Sequence, residues 1–198
     1  MTSSGKMRLG IFGGTFNPIH VGHLLLAETA RETLHLDRIV FIPTRQPPHK
    51  RAQDLLAGTE RMALIQLAVR EQPAFVASDI ELQREGPSYS INTVKALHAQ
   101  LPMAELFLLV GEDMLSVRWL AWDELKRLCT IVVAHRPATK VAKRDAKLKW
   151  LAMPQVEISS SDIRQRIKEG RSIRYLVPSA VERYLRQHQL YHRTSSGH

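Results

Sequence analysis

The most constraining feature of this chain is a double glycine between its first strand-like and first helix-like segments. Residues 8–12 are mostly apolar and end at Gly13-Gly14. Residues 21–36 then carry Leu24, Leu25, Ala27 and Leu34 at helical spacing, and residues 38–42 form a β-branched, apolar run ended by Pro43. Strand, helix and strand within about 35 residues is the size of a βαβ unit. A parallel pair needs a crossover of that kind, so one such unit already commits the chain toward an α/β fold.

The alternation continues. Thr59 is a candidate N-cap for a helix through Leu64, Ile65, Ala68 and Val69 to Gln72. Residues 75–77 read as a short strand, residues 91–101 as a helix, and residues 105–110 as an uninterrupted apolar strand of the kind buried in parallel sheets. Residues 130–134 repeat that pattern. Residues 155–159 are the last expected strand, and residues 159–169 a helix closed by Gly170. Ser179 and Glu182 have capping-box spacing ahead of a final helix through Val181, Tyr184 and Leu185. The basic run at 140–149 reads as a solvated loop, and residues 1–6 and 193–198 as loose termini. The expectation is a doubly wound, mostly parallel sheet, with a nucleotide-binding core over 7–154 and a small C-terminal helical subdomain over 155–192, within one domain overall.

Composition narrows the function. With 198 residues and 44% hydrophobic content the chain can bury a core. No apolar run reaches bilayer-spanning length and no signal peptide is visible. Cys129 is the only cysteine, so no internal disulfide forms. Together these set the expectation of a cytoplasmic protein with no membrane partner. The formal charge of +9 suits polyanionic ligands, phosphorylated small molecules and nucleic acid alike. Aromatics are only 6% of the chain and do not interleave with basic residues, so nucleic acid is not the expected partner.

The turn at Gly13-Gly14-Thr15-Phe16-Asn17-Pro18-Ile19-His20-Val21-Gly22-His23 carries the chemistry. Ligands of open parallel sheets sit beyond the carboxyl ends of the strands, where glycines let backbone N–H groups approach a phosphate and a helix N-terminus adds partial positive charge. His20 and His23, three residues apart, share one side of the first helical turn. Both can donate hydrogen bonds to phosphate. Such a pair can also begin a zinc site, but no third ligand stands at motif spacing, so no protein-bound metal is expected. Far along the chain, Ile158-Ser159-Ser160-Ser161-Asp162-Ile163-Arg164 repeats the device, with hydroxyls at a helix start and an arginine one turn in.

His20-Val21-Gly22-His23 and Ile158–Arg164 resemble the two signatures of the nucleotidyltransferase superfamily, H-x-G-H and I-S-S-T-x-I-R, with Ser161 in place of the usual threonine. Three further segments are similar to the bacterial nicotinate-mononucleotide adenylyltransferase family: Pro47-Pro48-His49-Lys50, Pro87-Ser88-Tyr89-Ser90, and Gly111-Glu112-Asp113 followed by Trp119. The resemblance runs from Leu9 to about Tyr191. It implies a Rossmann-like fold and transfer of the adenylyl group of ATP to nicotinate mononucleotide in NAD biosynthesis. Pyrophosphate is released by direct in-line displacement, with Mg2+ bound mainly through the ATP phosphates.

On this resemblance Gly13, Gly14, Thr15, Phe16, His20 and His23 hold the triphosphate, and Gly111 and Asp113 hold the ribose. Ile158, Ser159 and Arg164 contact ATP from the other side. Lys50 neutralises phosphate, Trp119 stacks on the nicotinate ring, and Tyr89 and Ser90 bind its carboxylate. Asn17, where many relatives have aspartate, lies on the acceptor side. His20, His23, Lys50 and Arg164 form the expected catalytic set. His135-Arg136-Pro137-Ala138 departs from the family's R-P-G, which leaves Arg136 without an assigned role. Trp122 reads as a core residue. Phosphopantetheine adenylyltransferase and a non-catalytic nucleotide- or nucleic-acid-binding protein are the alternatives, and a homo-oligomer stays open.

Overall fold

The computed structural model describes residues 5–47, 55–135, 148–154 and 156–192. Its centre is a six-stranded sheet of β1 (Arg8–Gly14), β2 (Arg38–Pro43), β3 (Phe75–Ala77), β4 (Glu105–Gly111), β5 (Thr130–His135) and β6 (Lys149–Ala152). The strand order is β3-β2-β1-β4-β5-β6 and every pairing is parallel. The chain winds outward in one direction from β1 and then in the other from β4. The two central strands therefore leave a crevice between their carboxyl ends, where doubly wound sheets take their ligands.

The strands separate two apolar layers with a period of two. Ile39, Phe41, Phe107, Leu109 and Val132 face one layer, together with Ala27 and Ala30 of α1 (Val21–Thr33) and Leu64 and Ile65 of α2 (Gly58–Val69). Ile163 and Ile167 of α5 (Ser160–Lys168) and Val181 and Leu185 of α6 (Ser179–Gln187) join the same layer. The alternate strand positions Leu9, Ile11, Val40, Ile42, Leu106, Leu108, Val110, Ile131 and Val133 face the other. There they meet Ile91, Val94 and Leu97 of α3 (Ser90–Gln100) and Leu125 of α4 (Trp122–Leu128). Burial on both faces explains why β4 reads as a continuous apolar run. No helix among the described residues is long and apolar enough to cross a membrane.

Four local expectations are corrected. The sixth strand is Lys149–Ala152, not residues 155–159; Gln155 lies outside the described residues, and residues 156–159 form no strand. As an edge strand, β6 turns only Leu151 fully inward, too little alternation to mark it in the sequence. The N-cap of α2 is Ala57, so Thr59 lies inside the first turn. The N-cap of α6 is Pro178, whose extended ψ of 147° starts the helix one residue before a Ser179–Glu182 box would close. Trp122 is only partly buried, packed on the second layer beside Trp119. The run at 140–147 and the ends at 1–4 and 193–198 lie outside the described residues.

Leu109 is about 1% exposed at the middle of β4. Leu109→Ala is expected to lower the unfolding free energy by about 2–5 kcal/mol, since neighbours on both strands and helices cannot collapse onto the void; a urea titration measures it.

Candidate active site

The first glycine turn leaves β1 and enters α1 at the central crevice. A Cβ on Gly14 would meet the Phe16 ring at 3.1 Å, so that ring packs directly on the bare backbone. Phe16 is buried with a left-handed φ of 45° and lies edge-on to Phe12 and to His23, with centroids 5.4 and 5.0 Å apart. Its side chain therefore serves packing, and only its backbone is available to a phosphate.

Behind the turn, the carbonyls are tied down one after another. Gly14 O accepts from Thr44 N at 2.9 Å, Thr15 O from Arg61 Nη1 at 2.9 Å, Asn17 O from Arg164 Nη1 at 2.8 Å, and Pro18 O from Ser160 Oγ at 2.9 Å. In a planar trans peptide the C=O and N–H point to opposite sides, so the bonds to Gly14 O, Thr15 O and Pro18 O turn the N–H groups of Thr15, Phe16 and Ile19 the other way, while the bond to Asn17 O holds a peptide whose nitrogen, that of Pro18, has no N–H. Asn17 itself is buried. Its side-chain oxygen accepts from Leu56 N at 3.1 Å and from the Tyr191 hydroxyl at 2.6 Å. These bonds give Asn17 a structural task, joining the turn to the start of α2 and to the chain's C-terminal segment.

His20 is the N-cap residue of α1 in extended conformation, and the Val21 N–H reaches Leu176 O at 2.9 Å. The His20 and His23 rings stack with centroids 3.7 Å apart. The His20 N–H donates to His23 Nδ1 at 3.2 Å, so His23 carries its proton on Nε2. Burial pulls the His20 pKa down to about 4. Burial, and then repulsion from His20, holds His23 well below its ordinary value. Both rings are neutral near pH 7 and act as single N–H donors. His20 Nδ1 is buried with no hydrogen-bond partner.

The second motif meets the first. Ser159 caps α5 by accepting from Asp162 N at 3.0 Å. Ser160 and Arg164, one turn apart, reach Pro18 O and Asn17 O, and Arg164 Nη2 donates to Ser161 Oγ at 3.3 Å. Ile158 packs partly buried on the first apolar layer. Two motifs about 140 residues apart in sequence thus share one turn.

Asp113 follows β4 in a 3-10 turn, Glu112–Ser116, and is exposed. A Cβ on Gly111 would lie 2.5 Å from Asp113 Oδ1, so the carboxylate folds back over the glycine. Trp119 is half-buried; its indole N–H donates to Met114 O at 2.7 Å, and its ring lies 5.3 Å from Trp122. Tyr89 is the N-cap residue of α3 and Ser90 its first helical residue. Lys50, with Pro48, His49 and Arg136 to Ala138, lies outside the described residues.

Several residues outside the expected site set hold this site. Ser88 is buried and its hydroxyl accepts from Arg45 N at 2.9 Å and Gln46 N at 3.4 Å, tying the exit of β2 to the entry of α3. Glu112 and His135 pair at 3.0 Å across the ends of β4 and β5. Arg61 had a signal: it stands three and four residues before Leu64 and Ile65, a charge on an apolar helical stripe. Tyr191, hydrogen-bonded across 174 positions, had none.

Glycine turn, paired histidines and a second capped helix at a parallel switch point define a nucleotidyltransferase. A cytidylyltransferase-like family model matches residues 11–166. A Thermus thermophilus protein named as a probable nicotinate-nucleotide adenylyltransferase is 42% identical over 187 residues, spanning 93% of this chain and 100% of the relative. A Geotalea uraniireducens protein of the same name is 41% identical over 93% of this chain and 98% of its own length. The chain belongs to the cytidylyltransferase-like family and, within it, to the nicotinate-nucleotide adenylyltransferase family. A similar fold occurs in the Plasmodium falciparum nicotinic acid mononucleotide adenylyltransferase complexed with NaAD, with a TM-score of 0.76 at 17% identity over 93% of this chain and 97% of that one.

The depressed histidines make stability pH-dependent. Each binds its proton more readily unfolded, at an ordinary pKa of 6.5, than folded, so the stabilisation is complete above 6.5 and is lost as pH falls toward about 4 for His20. Melting temperature is expected to fall over that window, and a His20→Gln/His23→Gln double variant to show a shallower fall.

Proposed function

We propose that this chain transfers the adenylyl group of ATP to nicotinate mononucleotide, forming nicotinate adenine dinucleotide and pyrophosphate. The observation that carries this reading is the junction of the two helix starts at Asn17 and Pro18, which sets His20, His23 and Arg164 around one backbone turn. An acceptor phosphate is already an anion near pH 7, so its oxygen can attack the α-phosphorus without a general base. The bond to pyrophosphate breaks in line, and no enzyme-bound intermediate is needed. Cys129, buried and pushed up to about 12 by that burial, is no nucleophile.

Catalysis then consists of positioning and of charge stabilisation. Neutral His20 and His23 offer N–H donors without the cost of keeping a buried charge in the empty site, and the arriving triphosphate raises their proton affinity. Arg164 supplies fixed positive charge, and Lys50 is assigned the same task from the acceptor side. Gly13, Gly14, Thr15 and Phe16 offer backbone N–H groups, and Ile158 and Ser159 bound the opposite side of the ATP site. Gly111 and Asp113, at the carboxyl end of β4, suit a ribose hydroxyl. Trp119, Tyr89 and Ser90 lie around the neighbouring helix starts, where an aromatic ring bearing a carboxylate is read by stacking and by hydroxyl and amide donors. No group of three His, Cys, Asp or Glu side chains gathers among the described residues. A magnesium ion carried mainly by the ATP phosphates and water would neutralise phosphate charge when bound.

Pyrophosphate release with ATP and magnesium, compared across nicotinate mononucleotide, nicotinamide mononucleotide and phosphopantetheine, tests the reading. Release is expected to be fastest with the first; release with phosphopantetheine alone overturns the acceptor assignment. His23→Ala is expected to lower kcat by about 100- to 1,000-fold, the usual cost of one transition-state donor, with the circular-dichroism spectrum kept. Trp119→Ala is expected to raise KM for nicotinate mononucleotide more than KM for ATP, and equal losses would remove Trp119 from the acceptor side.

A further inference from the structure

Arg61 is about 1% exposed, yet no acidic side chain among the described residues pairs with it. Its Nε donates to Leu56 O at 3.0 Å and its Nη1 to Thr15 O at 2.9 Å, and Nη2 makes no hydrogen bond among the described residues. A buried charge without a counter-charge is expensive, and burial accordingly pulls the Arg61 pKa below its ordinary value. The residue that would pair with it in sequence, Glu60, is turned away to the Tyr184 hydroxyl at 3.0 Å. Glu81, the buried acid before Leu82, is bonded to Thr93 Oγ1 at 2.6 Å.

The guanidinium borders a cavity of about 340 Å³ lined also by Arg45, Gly58, Thr59 and Leu82. That volume is at the small end of the roughly 300–1,000 Å³ typical of ligand pockets. Among the described residues that line it none is acidic, and two are arginines. The twelve-residue helix α2 opens there with no side-chain cap, so its first-turn amides face the same region. Gly58 is held bare by its neighbour, because a Cβ would lie 2.7 Å from Leu82 Cδ2. Arg45 spends one nitrogen on Arg84 O at 2.9 Å, and its guanidinium makes no other hydrogen bond among the described residues.

We propose that this cavity is a phosphate site, in which the phosphate group of a small molecule lies between the Arg61 and Arg45 guanidinium groups and the uncapped start of α2. The bound dianion would be the counter-charge that Arg61 lacks. Through Nη1 and Thr15 O, its occupancy is coupled to the glycine turn, so the site sits beside the nucleotide site and braces it. The phosphate has two sources, free inorganic phosphate or the phosphomonoester of a mononucleotide, and both present the same oxygens.

Calorimetric titration of the full chain with inorganic phosphate tests this, using the parent, Arg45→Ala, Arg61→Gln and, as a control at the nucleotide site, His23→Ala. Saturable binding is expected in the parent and within about twofold of it in His23→Ala. Arg45→Ala, which removes an exposed side chain, is expected to weaken binding at least about tenfold, the cost of one charge-assisted hydrogen bond. Arg61→Gln should abolish binding where it folds. Repeating the titration with saturating nicotinate mononucleotide separates the sources: competition assigns the site to the mononucleotide's phosphate, and undiminished binding assigns it to free phosphate. The proposal is overturned if the parent shows no saturable binding, if Arg45→Ala binds as the parent does, or if His23→Ala alone removes binding.

Discussion

The site depends first on how one short turn is held from behind. Four residues from three stretches of chain reach the carbonyls between Gly14 and Pro18: Thr44 after β2, Arg61 on α2, and Arg164 and Ser160 on α5. A backbone that binds phosphate must keep its N–H groups turned outward before the ligand arrives, or ordering them is charged against binding. Hydrogen bonds to the carbonyls of Gly14, Thr15 and Pro18 accomplish that at rest for the N–H groups of Thr15, Phe16 and Ile19. Two of the four donors are guanidinium groups, so the carbonyls are held by charge-assisted bonds, among the stronger available in a half-buried setting.

Electrostatics follows from the same packing. The aromatic rings of Phe12, Phe16 and Phe41 surround the base of the turn, and Phe16 lies against His23. That apolar support excludes water from the histidines and keeps them neutral. A pair of adjacent imidazolium ions would repel each other at 3.7 Å. Two neutral rings stack instead, and one fixes the tautomer of the other through the His20 amide. The site thus stores donors rather than charge, and leaves lasting positive charge to arginines with independent anchors.

The two apolar layers connect these arrangements to stability. α1, α2, α5 and α6 share one layer and α3 and α4 the other. Everything that braces the turn from α2, α5 and the C-terminal segment therefore comes from one side of the sheet. Tyr89, Ser90 and Trp119, proposed for the acceptor, are carried by elements of the other side. The crevice between β1 and β4 is where the two sides meet.

Much of this was legible in the sequence. Alternating periods of two and 3.6, punctuated by Gly and Pro, determine an α/β chain, because each local pattern has one way to bury its apolar positions. The meeting of the glycine turn, with His20 and His23, and the serine-rich start of α5 was foreshadowed because small residues and donors stand at adjacent positions in both segments. Edge strand β6 and the caps of α2 and α6 were not, since a short strand has few inward positions and a cap is decided within a residue or two. Residues whose task is purely tertiary were least legible. Tyr191 reaches Asn17 across 174 positions, Ser88 ties two loops, and Arg61 supports a carbonyl from another element. Local spacing carries information about what lies one or two turns away. Which distant donor meets which carbonyl depends on how the layers stack, and only the folded chain decides that.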